Sequence, residues 1–482
     1  MNEKRSPKKL VLGAVAGALG LGLVGYAAAD ALDATGDLPS FLTLEAPIEV
    51  QTVPEPRARA AEVPEPASAL DESAPRPTAL VATVEDILSS SEAGDLGIEI
   101  RDALSNEVLY ARGEDRGRTP ASVTKVLTGA AALLEIGGEE RLSTSTEFDP
   151  ATATLTLRAG GDPLLGAGES RPSAVNGRAG LRTLAVETAQ RLQEQGIGEV
   201  ALRLDTSRYS GPDFHSGWSR EDIGKGIITP IQPLMIDTGY LGTGEWRPRS
   251  EHPAEDAFAV FSKELGAAGI TVTDDPTIPA ATAGTIASPT AAPALEGTVA
   301  AVESATISEL VEYALVHSDN VVAEVLGREV AIASGQPGTA EAAPAAVLAA
   351  LEESADLGQT HLEDTSGLTY ANRISPHDLT GVLQASVVAE DSLSGLLGHM
   401  PVGGLTGTLS TRFTDDEFAA GLVHAKTGTL STVTSLAGGV LDRDGRYLVF
   451  TLQVDEVKKG ETLDARKTID DIVTALANCG CR

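Results

Sequence analysis

The chain has 482 residues, of which 42% are hydrophobic and only 4% are aromatic, and its formal net charge is −33. This length predicts two or three domains, and the apolar content is sufficient for a sizeable core. Because Lys and Arg form no cluster beyond the first nine residues, nucleic acid and anionic membrane surfaces are poor partners for the folded body.

The N-terminus has the pattern of an export segment. Residues 1–9 form a basic flank, and the twenty residues from Leu10 to Ala29 carry no charge. The flank predicts that the N-terminus stays in the cytoplasm and that the remainder is extracytoplasmic, in the cell envelope. Residues 10–32 are a signal peptide or a transmembrane anchor, and the length of the apolar run slightly favours the anchor.

Residues 33–79 are rich in Pro, Ala and Glu and predict a disordered linker. Beyond them, periodicity and turn signals predict elements in the following order. The predicted elements are a helix over 82–88, strands over 96–101 and 107–111, a helix from 120 to 134, a strand over 152–157, a helix over 181–195, a strand over 199–204, a helix over 254–268, a strand over 270–272, an Ala/Thr/Pro-rich boundary over 278–293, helices over 307–316, 321–333 and 375–388, strands over 423–429, 433–441 and 446–454, and a helix over 463–477. This order predicts an α+β fold in which a sheet flanked by helices is completed by both ends of the chain and carries a large inserted region.

The stretch from Thr119 to Lys125 predicts a nucleophile beside a base. Thr119 is the expected N-cap, Pro120 suits the first helical turn, and Ser122 lies three residues before Lys125 on the same face. The helix has almost no polar side, so it should be buried. Burial favours the neutral amine of a lysine, which can take a proton from a serine hydroxyl. The spacing alone is not specific, since Ser6 begins another Ser-x-x-Lys.

Ser318-Asp319-Asn320 lies at a break between two predicted helices. A turn there presents the serine hydroxyl and the asparagine amide outside a helix interior. By itself the motif is most often a helix cap.

Lys426-Thr427-Gly428 lies on a predicted strand that ends in Thr429. The glycine lets another backbone approach the strand closely. The threonines add hydroxyl donors, and Lys426 adds a positive charge for a carboxylate. Alone, this motif is most often an ordinary strand end.

The two cysteines, Cys479 and Cys481, lie in the last four residues. A bridge across one intervening residue is expected to be strained, and we assign these cysteines no catalytic role. The seven histidines form no His-x-x-x-His pair. The sequence therefore predicts no metal site.

Taken together and in this order, the three motifs are those of class A β-lactamases and penicillin-binding proteins. The long separation between Ser122 and Ser318 distinguishes the chain from class A β-lactamases. The chain resembles a low-molecular-mass class C penicillin-binding protein, that is, a D-alanyl-D-alanine carboxypeptidase/endopeptidase of the penicillin-binding protein 4 type. Other segments that resemble this family are Gly160–Pro163, Asp364–Leu368, Asn372–Pro376, Pro401–Val402 and Gly407–Leu409.

The resemblance implies a transpeptidase-like catalytic domain formed by residues 80–141 and 306–482, with residues 142–305 inserted. It also implies a substrate, the peptidoglycan stem peptide, and inhibition by β-lactam antibiotics, with no cofactor. Two other functions stay open: a β-lactamase or esterase of the same fold, and a non-catalytic protein that binds the cell wall.

The same resemblance implies the roles of the catalytic residues. Ser122 attacks the carbonyl of the penultimate D-alanine, and Lys125 accepts its proton. Ser318 and Lys426 relay a proton to the leaving D-alanine, and Asn320 holds the substrate amide. The oxyanion hole consists of the backbone N–H groups of Ser122 and of one substrate-binding residue. The substrate-binding residues are Asp319, Thr427, Gly428 and Thr429, of which Thr429 supplies that N–H group.

Overall fold

The computed structural model describes residues 78–91, 95–244, 247–273, 297–458 and 460–479. The predicted basic flank, the export segment, almost all of the linker and the boundary at residues 278–293 lie outside this part of the chain. Within the described residues, no helix combines the length and the apolar character needed to cross a membrane.

One five-stranded antiparallel sheet joins the two ends of the described chain, in the order β2–β1–β10–β9–β8. Its strands are β1 (Leu96–Asp102), β2 (Val108–Arg112), β8 (Val423–Leu430), β9 (Val433–Leu441) and β10 (Tyr447–Val454). Because side chains alternate across a strand, β10 contributes to two cores: Phe450 packs toward the terminal helices, and Val449 packs into the core on the other face. The terminal helices are α1 (Thr78–Ser90) and α10 (Thr462–Asn478).

The second face of this sheet is covered by helices packed around α2 (Thr124–Ala132), all of whose residues are buried. Its neighbours are α6 (Ile307–Val316), α7 (Asn320–Ala333), α8 (Ala342–Ala349) and α9 (Pro376–Val388). Small residues let these helices approach closely: a Cβ at Gly129 of α2 would lie 3.0 Å from Val311 Cγ1 of α6. The helix that follows Ser122 therefore runs through the interior, as its apolar sequence predicts.

A second five-stranded sheet, in the order β6–β5–β4–β3–β7, takes all its strands from residues 141–306. Its strands and the helices beside it are β3 (Arg141–Asp149), β4 (Thr154–Arg158), α3 (Leu181–Glu194), β5 (Glu199–Asp205), α4 (Glu221–Gly224), α5 (Pro253–Ala267), β6 (Thr271–Val272) and β7 (Thr298–Thr306). Helices α3 and α5 share an apolar core with this sheet, centred on residues such as Leu155 and Phe261. The segment between β5 and α5 is mostly loop and reaches the helices of the first sheet, where Trp218 packs in a cluster with Val321.

The predicted α+β fold is confirmed, and most predicted elements agree with the structure to within a few residues. Strands β3 and β7 and helix α8 were missed. In β3 the buried positions include Thr144 and Thr146, and in β7 they include Ala300 and Ser304. These side chains produce no strong apolar alternation, so the sequence pattern contained little signal.

One local prediction is wrong. Thr119 is not an N-cap: a 3-10 turn over Ala121–Val123 separates it from α2, and its hydroxyl points toward Tyr370 O at 3.4 Å. Cys479, at the end of α10, is disulfide-bonded.

Candidate active site

Ser122 lies in the 3-10 turn that leads into α2, and Lys125 lies one turn further along. Lys125 Nζ lies at hydrogen-bond distance from three oxygens: Ser122 Oγ at 3.0 Å, Asn320 Oδ1 at 2.7 Å and Ser366 O at 2.6 Å. The ammonium form donates to all three, and the neutral amine donates to Asn320 and Ser366 while its lone pair accepts from the Ser122 hydroxyl. The three oxygens belong to three different segments of the chain. The amine is therefore held in one position, against the hydroxyl that it would activate.

Burial decides the protonation of Lys125, whose side chain is 1% exposed. Desolvation lowers its pKa from the ordinary value to about 8, and the negative charges of Asp364, Asp319 and Glu324 limit this decrease. A substantial fraction of the amine is thus neutral slightly above neutral pH, which is the condition for a general base.

The turn that contains Ser122 is clamped from two sides. Ala121 has a φ of +53°, an uncommon conformation for an alanine. Two glycines permit the close contacts around it: a Cβ at Gly428 would lie 2.7 Å from Pro120 O, and one at Gly367 would overlap Ala121 O. Ser435 Oγ also donates to Pro120 O at 2.7 Å. Strand β8 and the 364–367 loop therefore fix the backbone on which the serine is carried.

Ser318 lies at the break between α6 and α7 with a φ of +54°. Lys426 Nζ donates to Ser318 Oγ at 2.9 Å and to Thr427 O at 2.7 Å. Burial lowers the pKa of Lys426 well below the ordinary lysine value, and the nearby charge of Lys125 lowers it further. The structure thus contains two amine–hydroxyl pairs, one on each side of the site.

The carboxylate of Asp319, which the sequence predicts to bind substrate, is engaged by other groups of the protein. Its Oδ1 accepts from Val321 N and Val322 N, so it caps α7, and its Oδ2 accepts from Arg249 Nη2 at 2.7 Å. Burial alone would raise the pKa of Asp319, but the Arg249 guanidinium holds it below the usual range. We therefore assign Asp319 a supporting role.

Asn320 joins the loop between α4 and α5 to the base. Its Oδ1 accepts from Lys125, and its Nδ2 donates to Ile227 O at 3.0 Å. An amide has two donor hydrogens and two acceptor lone pairs. One donor and one lone pair of Asn320 stay available for a substrate amide.

The Lys-Thr-Gly segment lies on β8, the outermost strand of its sheet among the described strands. Thr427 Oγ1 lies 2.9 Å from Thr408 Oγ1, and the side chain of Thr429 is exposed. Gly428 is the close-contact position described above. Of the nine site residues that the sequence predicts, the contacts group Ser122, Lys125 and Asn320 together, and Ser318 with Lys426 and Thr427.

Sequence reasoning missed four contributors to this site: Ile227, Arg249, Glu324 and Ser366. Ser366 lies in the segment Asp364–Leu368, which the sequence analysis names only as a segment that resembles the family. Ile227 contributes a backbone carbonyl, for which a sequence contains no signal. Arg249 and Glu324 act through contacts between segments far apart in the chain.

Among the residues that the structure describes, no group of three or more His, Cys, Asp or Glu side chains is arranged to hold a metal ion. The groups that converge on the amine of Lys125 are the Ser122 hydroxyl, the Asn320 amide and the Ser366 backbone carbonyl. This donor set is suited to serine nucleophilic chemistry with a lysine base.

Comparison with known proteins places the chain among carboxypeptidases. The sequence profile of the D-Ala-D-Ala carboxypeptidase 3 (S13) family matches residues 80–248 and 242–476. A carboxypeptidase of Mycobacterium tuberculosis is 34% identical over 435 residues, which cover 88% of this chain and 89% of that protein. The carboxypeptidase DacB of Mycolicibacterium smegmatis is 36% identical over 423 residues, which cover 86% and 87%. The crystal structure of penicillin binding protein 4 from Haemophilus influenzae shares the fold, with a TM-score of 0.66, 20% identity, and coverage of 81% of this chain and 97% of that one.

Replacing Arg249 by alanine tests how the loop between α4 and α5 supports the site. Both partners of the Arg249–Asp319 pair are buried, so the variant leaves an uncompensated carboxylate, and we expect a loss of about 3–5 kcal/mol in unfolding free energy. Displacement of the neighbouring Ser318 and Asn320 should also slow acylation by penicillin about 100-fold. Urea denaturation and the acylation rate measure the two effects.

Arg220→Ala is the matched control, because the Arg220–Glu251 pair of the same segment is exposed and 3.7 Å apart. Its loss of stability should lie within about 1 kcal/mol, with acylation unchanged. Equal losses in the two variants would contradict a specific role for Arg249.

Proposed function

We propose that this chain, which belongs to the D-Ala-D-Ala carboxypeptidase 3 (S13) family, cleaves peptidoglycan stem peptides through an acyl-enzyme on Ser122. It is a serine-type D-Ala-D-Ala carboxypeptidase, a hydrolase and a low-molecular-mass class C penicillin-binding protein that acts outside the cytoplasm. The observation that carries the choice of nucleophile is the 3.0 Å hydrogen bond between Lys125 Nζ and Ser122 Oγ.

Acylation begins with proton transfer from Ser122 to the neutral amine of Lys125. The hydroxyl oxygen attacks the carbonyl carbon of the penultimate D-alanine, and the backbone N–H groups of Ser122 and Thr429 stabilise the oxyanion. Each such donor typically contributes about 3–4 kcal/mol. Asn320 holds the substrate amide and, through its Oδ1, keeps Lys125 in place.

Collapse of the tetrahedral intermediate requires a proton on the leaving D-alanine nitrogen. The Ser318–Lys426 pair supplies it, because Lys426 Nζ donates directly to Ser318 Oγ. Burial disfavours the charged form of Lys426 in the empty site. A substrate carboxylate beside Lys426, Thr427 and Thr429 supplies a countercharge and thereby favours the ammonium form when substrate is bound. Water then hydrolyses the acyl-enzyme.

The edge of β8 suits a peptide substrate. Apart from one bridge between His424 and Val402, no described strand pairs with this outer edge. An extended peptide can therefore add to β8 through main-chain hydrogen bonds. The close packing of Gly428 against Pro120 supports a position for such a peptide beside the turn that contains Ser122.

For the domain organisation, we propose that residues 80–141 and 306–482 form the catalytic domain and that residues 142–305 are an insertion. The second sheet, whose strands all lie between residues 141 and 306, supports this division. The insertion also contributes Arg249 and Ile227 to the site, so its removal is expected to damage catalysis.

For the N-terminus, we propose that residues 10–32 anchor the protein in the membrane and that residues 33–79 separate the catalytic domain from it. The charge pattern of the sequence supports this proposal. Full-length protein should stay in the membrane pellet after alkaline carbonate extraction, and a variant that lacks residues 1–32 should be released. If the full-length sequence is expressed and the released protein has an intact mass that lacks the N-terminal segment, the segment is a cleaved signal peptide.

Substitution of the nucleophile gives the most direct test. Ser122→Ala removes the attacking oxygen, so labelling by fluorescent penicillin and the corresponding mass increase should be abolished. Ser90→Ala, at the exposed end of α1, is the control and should be labelled as the wild type is. Labelling that survives in Ser122→Ala would refute the mechanism, and rapid turnover of a chromogenic cephalosporin by the wild type would favour a β-lactamase.

Defined muropeptides test the reaction itself. Wild-type protein incubated with a pentapeptide should release D-alanine and leave a tetrapeptide, as measured by mass spectrometry. A cross-linked muropeptide in parallel reports endopeptidase activity. A pentapeptide that ends in L-alanine is the control and should stay intact, and an intact D-Ala-D-Ala pentapeptide alongside efficient penicillin acylation would exclude the carboxypeptidase reaction.

A further inference from the structure

Helix α7 carries a buried carboxylate one turn after Asn320. Glu324 is 5% exposed. Its Oε1 accepts from Thr365 N at 3.1 Å and from Ser366 N at 2.8 Å, and its Oε2 accepts from Thr365 Oγ1 at 3.1 Å. All three donors belong to two consecutive residues of the 364–367 loop. The carboxylate thus holds this loop on α7.

Ser366 connects Glu324 to the base. Its N–H donates to Glu324, and its carbonyl oxygen accepts from Lys125 Nζ at 2.6 Å. We propose that Glu324 is a positioning residue for Lys125: it fixes the Ser366 carbonyl that orients the amine, and its carboxylate is one of three buried carboxylates that act on that amine. This proposal rests on the role of Lys125 in the proposed function.

The rest of the loop is held independently of Glu324. Asp364 accepts from Gly367 N and Thr369 N at 2.8 Å each and from Trp218 Nε1 at 2.9 Å. Thr128 Oγ1 donates to Thr365 O at 2.6 Å. Because these contacts persist when only the charge of Glu324 is removed, such a variant should retain its loop conformation.

The charged groups around the two side chains determine the direction of the effect. Lys125 is surrounded by the carboxylates of Asp364, Asp319 and Glu324 and by the amine of Lys426. Around Glu324, burial raises its pKa, Asp364 raises it further, and Arg328 of the same helix opposes both. An ionised Glu324 stabilises the ammonium form of Lys125, so loss of this charge should make the neutral base available at lower pH.

The test is Glu324→Gln in the full-length protein, with the second-order rate constant of penicillin acylation measured against pH. In the wild type the rate should rise as Lys125 loses its proton, with a midpoint near a pH of about 8. Glutamine has the same shape, and its oxygen can accept both backbone N–H groups. We expect a thermal midpoint close to that of the wild type and an acid limb shifted about one pH unit to lower pH.

Glu329→Gln is the matched control. Glu329 is also buried on α7, but its partners are Arg208 and Tyr209 rather than the 364–367 loop. It should lose stability without moving the midpoint of acylation. An unshifted midpoint in a folded Glu324→Gln protein, or an equal shift in Glu329→Gln, would overturn the proposal.

Glu324→Asp keeps the negative charge on a shorter side chain. It tests the positioning role of Glu324 if Glu324→Gln does not fold. Its midpoint should stay within about half a pH unit of the wild type, while its plateau rate falls about tenfold or more because the loop is no longer held in place. A wild-type plateau would overturn the positioning role. Lys125→Arg tests the proposed function separately from the role of Glu324. Rapid acylation in that variant would show that Lys125 is not the base.

Discussion

Enclosing a lysine amine in protein is costly when the amine is charged, because water no longer solvates it. Lys125 is placed under this constraint, and the surrounding structure meets it with oxygen acceptors from Ser122, Asn320 and Ser366. None of these partners is a full negative charge, so they do not cancel the effect of burial, which lowers the pKa of the amine to about 8. A carboxylate at the same distance would have stabilised the ammonium form and removed the base.

The carboxylates near Lys125 do not contact the amine directly, and each forms hydrogen bonds with another group of the protein. Asp319 pairs with Arg249, and Glu324 accepts backbone N–H groups. This arrangement gives the loop between α4 and α5 a part in the electrostatics of the site, because Arg249 of that loop neutralises Asp319. Without that cation, the buried carboxylate of Asp319 would act on Lys125 with no countercharge of its own.

The sequence predicted those parts of the molecule whose signal is local. Strands β9 and β10 are strongly apolar, and the motif serines and lysines have spacings that follow from the elements on which they lie. Arg249 and Glu324 could not be found in this way, because their roles depend on contacts made only when distant segments pack together. The N-cap prediction at Thr119 failed for a related reason: the positive φ of Ala121 is imposed by the packing of Gly367 against it, and this inserts a turn before the helix.

The pairing of β1 with β10 has a consequence for the biogenesis of the protein. Leu96 pairs with Val454 and Asp102 with Leu448, so a strand made early in synthesis hydrogen-bonds to one made near its end. Strand β10 lies in the middle of the sheet, between β1 and β9. A nascent chain that has not yet reached residue 454 cannot complete this sheet. Without β10, strands β8 and β9 are not hydrogen-bonded to β1 through the sheet. Completion of the sheet therefore waits for the synthesis of β10, and such long-range pairing is intrinsically slow.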